Sequence, residues 1–172
     1  MAEFYSDSHG ERWGVMKQER QYSCGPACAA MTEVYYKQSI VANLEGRIRA
    51  LSQKYPGRFR DGAGTSMDNL VDVLREEGVK TWNVVRTDRV WAYLYKYAND
   101  DTPVIVEINW DTGAKHLVVC PYVYKSDQHC IFLDPGYGLV ELPGPSLPAY
   151  GFAPGKQWRV GALSGQLIIT HR

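Results

Sequence analysis

Apolar positions change their period once along this chain. In the first half they recur at helical spacing. Ala27, Ala30, Met31, Val34 and Tyr35 form an i, i+3, i+4, i+7, i+8 stripe and predict an amphipathic helix over 25–37. Leu44, Ile48 and Leu51 predict a second helix over 42–54, stopped by Pro56-Gly57. Ser66 as N-cap and Gly78 as C′ residue bracket a third over 67–77. Residues 79–85 read as a strand. Asp88 is placed to cap a helix running through 98 that buries Val90, Trp91, Leu94 and Tyr95. From Pro103 onward the pattern is β, with strands expected at 104–109, 116–124, 130–133, 139–142 and 166–170. Residues 1–23 read as a polar, extended arm, and 143–156 as a long Pro/Gly loop. Helices first and an antiparallel sheet after them predict an α+β fold. With no repeat and no linker, 1–172 is expected to be a single domain, long enough to bury a core.

The chemistry gathers on three of these elements. Cys24, followed by Gly25-Pro26-Ala27, opens the first helix. A helix N-terminus carries partial positive charge and unsatisfied N–H groups, so it favours a thiolate. Cys24 is therefore the candidate nucleophile, and Cys28, one turn later among alanines, reads as core packing. A thiolate nucleophile needs a proton carrier and a group that orients it. His116 opens a buried-looking strand, whereas His9, His129 and His171 fall near a terminus or in a turn. Asp134 ends the next strand, and two neighbouring antiparallel strands can present His116 and Asp134 side by side. Asn109 and Asp111 are the reserve candidates for the orienting role. Gln18, favoured over Gln21 by its spacing to the cysteine, can add an amide donor to the Cys24 backbone N–H and complete an oxyanion hole. Trp110 is placed to shield the imidazole, to line the substrate channel or to fill core, and Arg58 and Arg60 on a Gly-rich loop either guard a cleft rim or are simply solvated.

Composition removes several other classes. Lysine plus arginine number 19 and aspartate plus glutamate 19, a formal net charge of zero. There is no basic stripe for nucleic acid and no polybasic cluster for a membrane surface. No stretch approaches the roughly 20 apolar residues of a membrane span, and the N-terminus lacks the apolar run of a signal peptide. The expectation is a cytoplasmic protein as encoded, or a domain exported by or cut from something larger. Cys24 with Cys28 and His116 with Cys120 have acceptable zinc spacing, but helix and strand pairs would both have to converge, so no metal or other cofactor is expected. Gly62 and Gly64 lack the Lys-Ser/Thr of a phosphate loop.

Gln18, five intervening residues, Cys24-Gly25-Pro26-Ala27-Cys28, then His116-Leu117-Val118-Val119 on one strand and Asp134-Pro135 ending another, resembles the papain-like cysteine peptidases. It is most similar to the branch that processes double-glycine leader peptides of bacteriocins, and to its stand-alone relatives. Pro103 to Ile108 before the histidine also fits. Two features depart from the branch: Ser23 stands where members often have Asp, and no transporter spans or ATPase follow. The resemblance implies a papain-like fold and a peptidase with Cys24 as nucleophile, His116 as base, Asp134 as orienting group and Gln18 in the oxyanion hole. It implies a protein or peptide substrate cut after small residues such as Gly-Gly. The implied role is either peptide maturation or a delivered toxin protease with an immunity partner. The same triad serves acyl transfer of the transglutaminase kind, and a peptidase fold can persist as a silent peptide-binding module.

Overall fold

The computed structural model describes residues 2–39, 41–56, 58–99, 102–143, 149–150 and 161–171. Its centre is an antiparallel sheet of β3 (Lys80–Thr81), β10 (Gly161–His171), β5 (Val104–Trp110), β6 (Lys115–Tyr124), β7 (His129–Asp134) and β8 (Gly138–Pro143), adjacent in that order. Two short strands, β4 (Val85–Arg86) and β9 (Ala149–Tyr150), also pair with β10. The side-chain period of two sorts each strand between two cores. On β5, Ile105 joins Leu117, Val119, Ile131, Leu133 and Ile168 in a core with helices α1 (Cys24–Lys37), α2 (Leu44–Ser52) and α3 (Met67–Glu76). Val104, Val106, Ile108 and Trp110 enter the other core, which α4 (Val90–Tyr97) closes with Val90 and Leu94. The strands are buried on both faces, which is why they read as continuous apolar runs.

Five segments depart from the sequence expectation. Residues 1–23 are not a simple arm: Ala2–Ser6 (β1) and Arg12–Met16 (β2) form a two-stranded hairpin before the arm begins. Its alternation is masked by polar outward positions. Helix α1 is not amphipathic over its first two turns, because every residue from Gly25 to Glu33 is buried; the small residues let α2, α3 and the sheet surround it. The 79–85 strand is broken into β3 and β4. Asp88 does not cap α4: Thr87 Oγ1 accepts from Arg89 N at 3.0 Å, Arg89 takes the cap position, and Tyr95 lies on the outer face. In the 143–156 loop, Ala149–Tyr150 pairs with β10; residues 144–148 and 151–156 lie outside the described residues. Elsewhere the signals hold. Ser66 Oγ accepts from Asn69 N at 3.2 Å, and Gly78 has φ +82° after α3.

The hairpin is latched to the sheet. Gly138 has φ +101°, and a Cβ there would lie 2.8 Å from the Tyr5 ring, so glycine serves both the turn and the docked tyrosine. Asp7, buried in the hairpin turn, accepts at Oδ2 from Trp13 Nε1 and from Tyr124 Oη of β6, both at 2.7 Å. Its Oδ1 accepts from the backbone N–H groups of His9 and Glu11, each at 2.9 Å.

Candidate active site

Three elements end at one place. His116 is the second residue of β6 and Asp134 the last of β7, and these strands run antiparallel, so both side chains sit at the same end of the sheet. The N-terminus of α1 abuts that end. A Cβ on Gly25 would lie 3.2 Å from Thr65 Cγ2 and 3.5 Å from Leu117 Cδ1, so the helix start is closely packed against Thr65 and β6.

His116 Nε2 lies 2.7 Å from Asp134 Oδ1, and both side chains are buried. Cys24 lines the same cavity as His116, and its interaction with the imidazole favours the charged ring. Burial alone would strip the proton from His116, but the bonds to Asp134 and Cys24 and the charges of both outweigh it and raise the pKa from 6.5 to about 10. Trp110 is buried and stacks on His116, with ring centroids 5.5 Å apart and planes at 26°. It therefore shields the imidazole.

Asp134 is held from four directions. Oδ1 also accepts from Gly136 N at 2.7 Å and Tyr137 N at 3.1 Å. Oδ2 accepts from Tyr150 Oη at 2.7 Å. Tyr150 is fully buried, and burial followed by the Asp134 charge pushes its phenol pKa well up, so it remains a donor. Sequence reasoning missed Tyr150. The only signal was a single aromatic inside a Pro/Gly-rich stretch, which suits an anchor. Asn109 and Asp111, the reserve carboxamide and carboxylate, are exposed and have no place beside His116.

Gln18 enters on an arm pinned at both ends. Its N–H donates to Pro135 O at 3.0 Å, and Lys17 Nζ to Gly136 O at 2.8 Å, which tie it to the turn after Asp134. Glu45, buried on α2, accepts from Glu19 N at 2.8 Å and from Arg49 Nη1 at 2.8 Å. Glu45 was also missed, since nothing in a helical sequence marks which glutamate turns inward. The Gln18 amide donates both hydrogens, to Arg20 O and Gln21 O at 2.8 Å each, while its buried Oε1 has no partner among the described residues and a Cβ on Gly136 would lie 3.9 Å from it. The structure therefore brings Cys24, His116, Asp134 and Gln18 to one place. Cys28 is buried, and burial pushes its thiol pKa well up. Among the described residues no group of three or more His, Cys, Asp and Glu side chains is placed to hold a metal ion. The site opens on a cavity of about 1040 Å³ lined by Gln18, Cys24, Arg58, Trp110, His116 and Tyr137 among others.

The profile of the Peptidase_C39 like family matches residues 13–141. The chain belongs to that family. It is a cysteine peptidase of papain-like, α+β fold. Three solved structures place this family member's fold among its relatives. The peptidase domain of Streptococcus ComA, a bi-functional ABC transporter involved in quorum sensing, has a TM-score of 0.64 at 18% identity, covering 91% of this chain and 96% of that one. A double glycine motif protease from an AMS/PCAT transporter, solved in complex with the leader peptide, has a TM-score of 0.60 at 21% identity, covering 92% and 91%. The peptidase domain of Streptococcus mutans ComA has a TM-score of 0.56 at 16% identity, covering 92% and 98%. No curated protein matches significantly. No helix among the described residues is long and apolar enough to cross a membrane.

Proposed function

We propose that this C39-like protein is an endopeptidase in which Cys24 is the nucleophile, His116 the proton carrier, Asp134 the orienting carboxylate and Gln18 an oxyanion donor. The observation that carries the reading is the shared imidazole: Nε2 fixed by Asp134 at 2.7 Å, with the charged ring favoured by Asp134 and Cys24 together. A His116 that keeps its proton across the neutral range supports a thiolate–imidazolium pair before substrate arrives. The Cys24 sulfur attacks the scissile carbonyl and forms a C–S bond. The negative charge on oxygen is met by the Cys24 N–H, a helix-start donor with no intrahelical acceptor, and by Gln18 Nε2. Gln18 gives up one of its two carbonyl acceptors for this, because an oxyanion is the stronger acceptor. His116 protonates the leaving amine, then takes a proton from the water that cleaves the thioester.

Substrates carry small residues such as Gly-Gly before the cut. Trp110 stacks on the imidazole and Tyr137 lies edge-on to it, His116 and Tyr137 centroids 6.4 Å apart, so aromatic rings flank the imidazole. The double glycine motif protease similar in fold supports the same substrate class. The biological role on this reading is peptide maturation. Growth inhibition of an expressing host, lost with Cys24→Ala, would instead assign it to a toxin protease that needs an immunity partner. The test of the chemistry is a peptide library containing Gly-Gly sites, read by mass spectrometry. Cleavage by the native protein and none by a folded Cys24→Ala protein is expected; equal fragments from both would refute it.

A further inference from the structure

The loop between α2 and α3 carries two guanidiniums, Arg58 and Arg60, with no partner among the described residues. Its middle residue, Phe59, is 2% exposed; Phe59 N donates to Ser52 Oγ at 3.3 Å, and the Arg49 guanidinium lies 6.0 Å from its ring centroid. With Phe59 turned inward, Arg58 and Arg60 point away from the core, and both line the Cys24 cavity. The loop is tied to the nucleophile arm, since Arg20 Nη1 donates to Asp61 Oδ2 at 2.9 Å. It is closed on itself by Arg60 N to Gly64 O at 3.0 Å, so the two guanidiniums are carried on a braced turn.

The other formal charges of the cavity are matched. Asp68 pairs with Arg86 at 3.2 Å. Glu107, 5% exposed on the sheet wall, accepts at Oε1 from Lys115 Nζ and from Gln166 Nε2, each at 3.0 Å. The His116 cation faces Asp134 and Cys24. Among the described residues, the Arg58 and Arg60 guanidiniums are left with no hydrogen bond or ion pair. A chain whose net charge is zero thus leaves two unpaired guanidiniums on one rim of its substrate cavity.

We propose that Arg58 and Arg60 form a specificity subsite for an acidic side chain of the peptide substrate, at one register relative to the scissile bond. The guanidinium fork matches a carboxylate in geometry and charge, and one good contact of this kind gives about tenfold in affinity. This rests on the peptidase reading above, and the experiment keeps the two separable. A Gly-Gly peptide set with Asp, Asn or Lys walked along every flanking position is cut by the native protein and by R58E/R60E. The same peptides, fluorescently labelled, are titrated onto Cys24→Ala protein with and without R58E/R60E, which reports binding without turnover. The expected result is one position where Asp exceeds Asn by about tenfold in both readouts, weakening with added salt. At that position R58E/R60E loses the Asp preference and favours Lys, and R58Q/R60Q shows no preference. Equal use of Asp, Asn and Lys at every position, or an Asp preference unchanged by R58E/R60E, overturns the subsite. Absence of cleavage with Asp-selective binding retained by Cys24→Ala would overturn the peptidase reading and leave the subsite standing.

Discussion

At the scale of single residues, the site rests on where protons are held. His116 is buried yet has its pKa raised to about 10, because Asp134 and Cys24 both stabilise its charged form. The sign follows. A histidine raised above its unfolded value of 6.5 contributes stability that is full below that value and is lost as pH rises through about 10. An NMR titration of the His116 ring should therefore give a midpoint near 10, and Cys24→Ala, which removes one of the two partners, should lower it; a midpoint at 6.5 in the native protein would contradict the geometry. Tyr150 is the second residue-scale device. Tyr150→Phe leaves Asp134 Oδ2 buried without a donor, at a cost of about 1–3 kcal/mol in thermal or urea unfolding. Peptide turnover should fall with it, and the alkaline limb of its pH profile should shift, as a purely structural tyrosine would not require. Cys24 and His116 were legible from sequence because each sits at an element boundary with a distinctive neighbour, Gly-Pro after one and an apolar strand after the other. Tyr150 was not, since its partner lies sixteen residues away in sequence.

At the scale of elements, the decisive one is the arm from Lys17 to Ser23, which has no secondary structure to hold it. Hydrogen bonds from neighbouring elements substitute: Pro135 O and Gly136 O from the β7–β8 turn, and Glu45 from α2. Glu45→Ala removes the acceptor of Glu19 N and the partner of Arg49, one residue from Gln18. Unfolding free energy should drop by about 2–3 kcal/mol, and kcat should drop more than KM rises, because Gln18 acts on the oxyanion and not on ground-state binding. An unchanged kcat would show the arm to be held without α2. Period, with caps and turn residues, predicted α2 and α3 to within a turn and located β5 to β8 and the C-terminal half of β10. What it could not show is that α1 is enclosed on all sides. Burial of Thr32 and Glu33 depends on their partners: Thr32 Oγ1 donates to Cys28 O at 2.9 Å, and Glu33 accepts from Lys37 and Arg47.

At the scale of the molecule, the N-terminal hairpin links the far edge of the sheet to the chemistry, because the chain leaves β2 directly into the Gln18 arm. Asp7 is the latch. Burial works against its charge, but hydrogen bonds from Trp13, Tyr124, Glu11 and His9 more than offset this and hold its pKa below 3.8. A depressed carboxyl contributes stability that is present above the unfolded value and is lost as pH falls through the folded one, so the hairpin should loosen in acid below about 4 while the sheet persists. Asp7→Asn separates this from general acid unfolding. An amide that keeps its oxygen toward the two backbone donors turns its NH2 toward Trp13 Nε1 and Tyr124 Oη, of which the indole N–H can only donate. The loss should be about 2–3 kcal/mol. In hydrogen exchange at neutral pH, residues 2–16 of Asp7→Asn should lose protection while β5, β6 and β7 keep theirs, and peptide turnover should fall because Gln18 is tethered through β2. Retained protection in the hairpin with unaltered turnover would show that docking of Tyr5 over Gly138 suffices to hold the arm, and that Asp7 serves only its own turn.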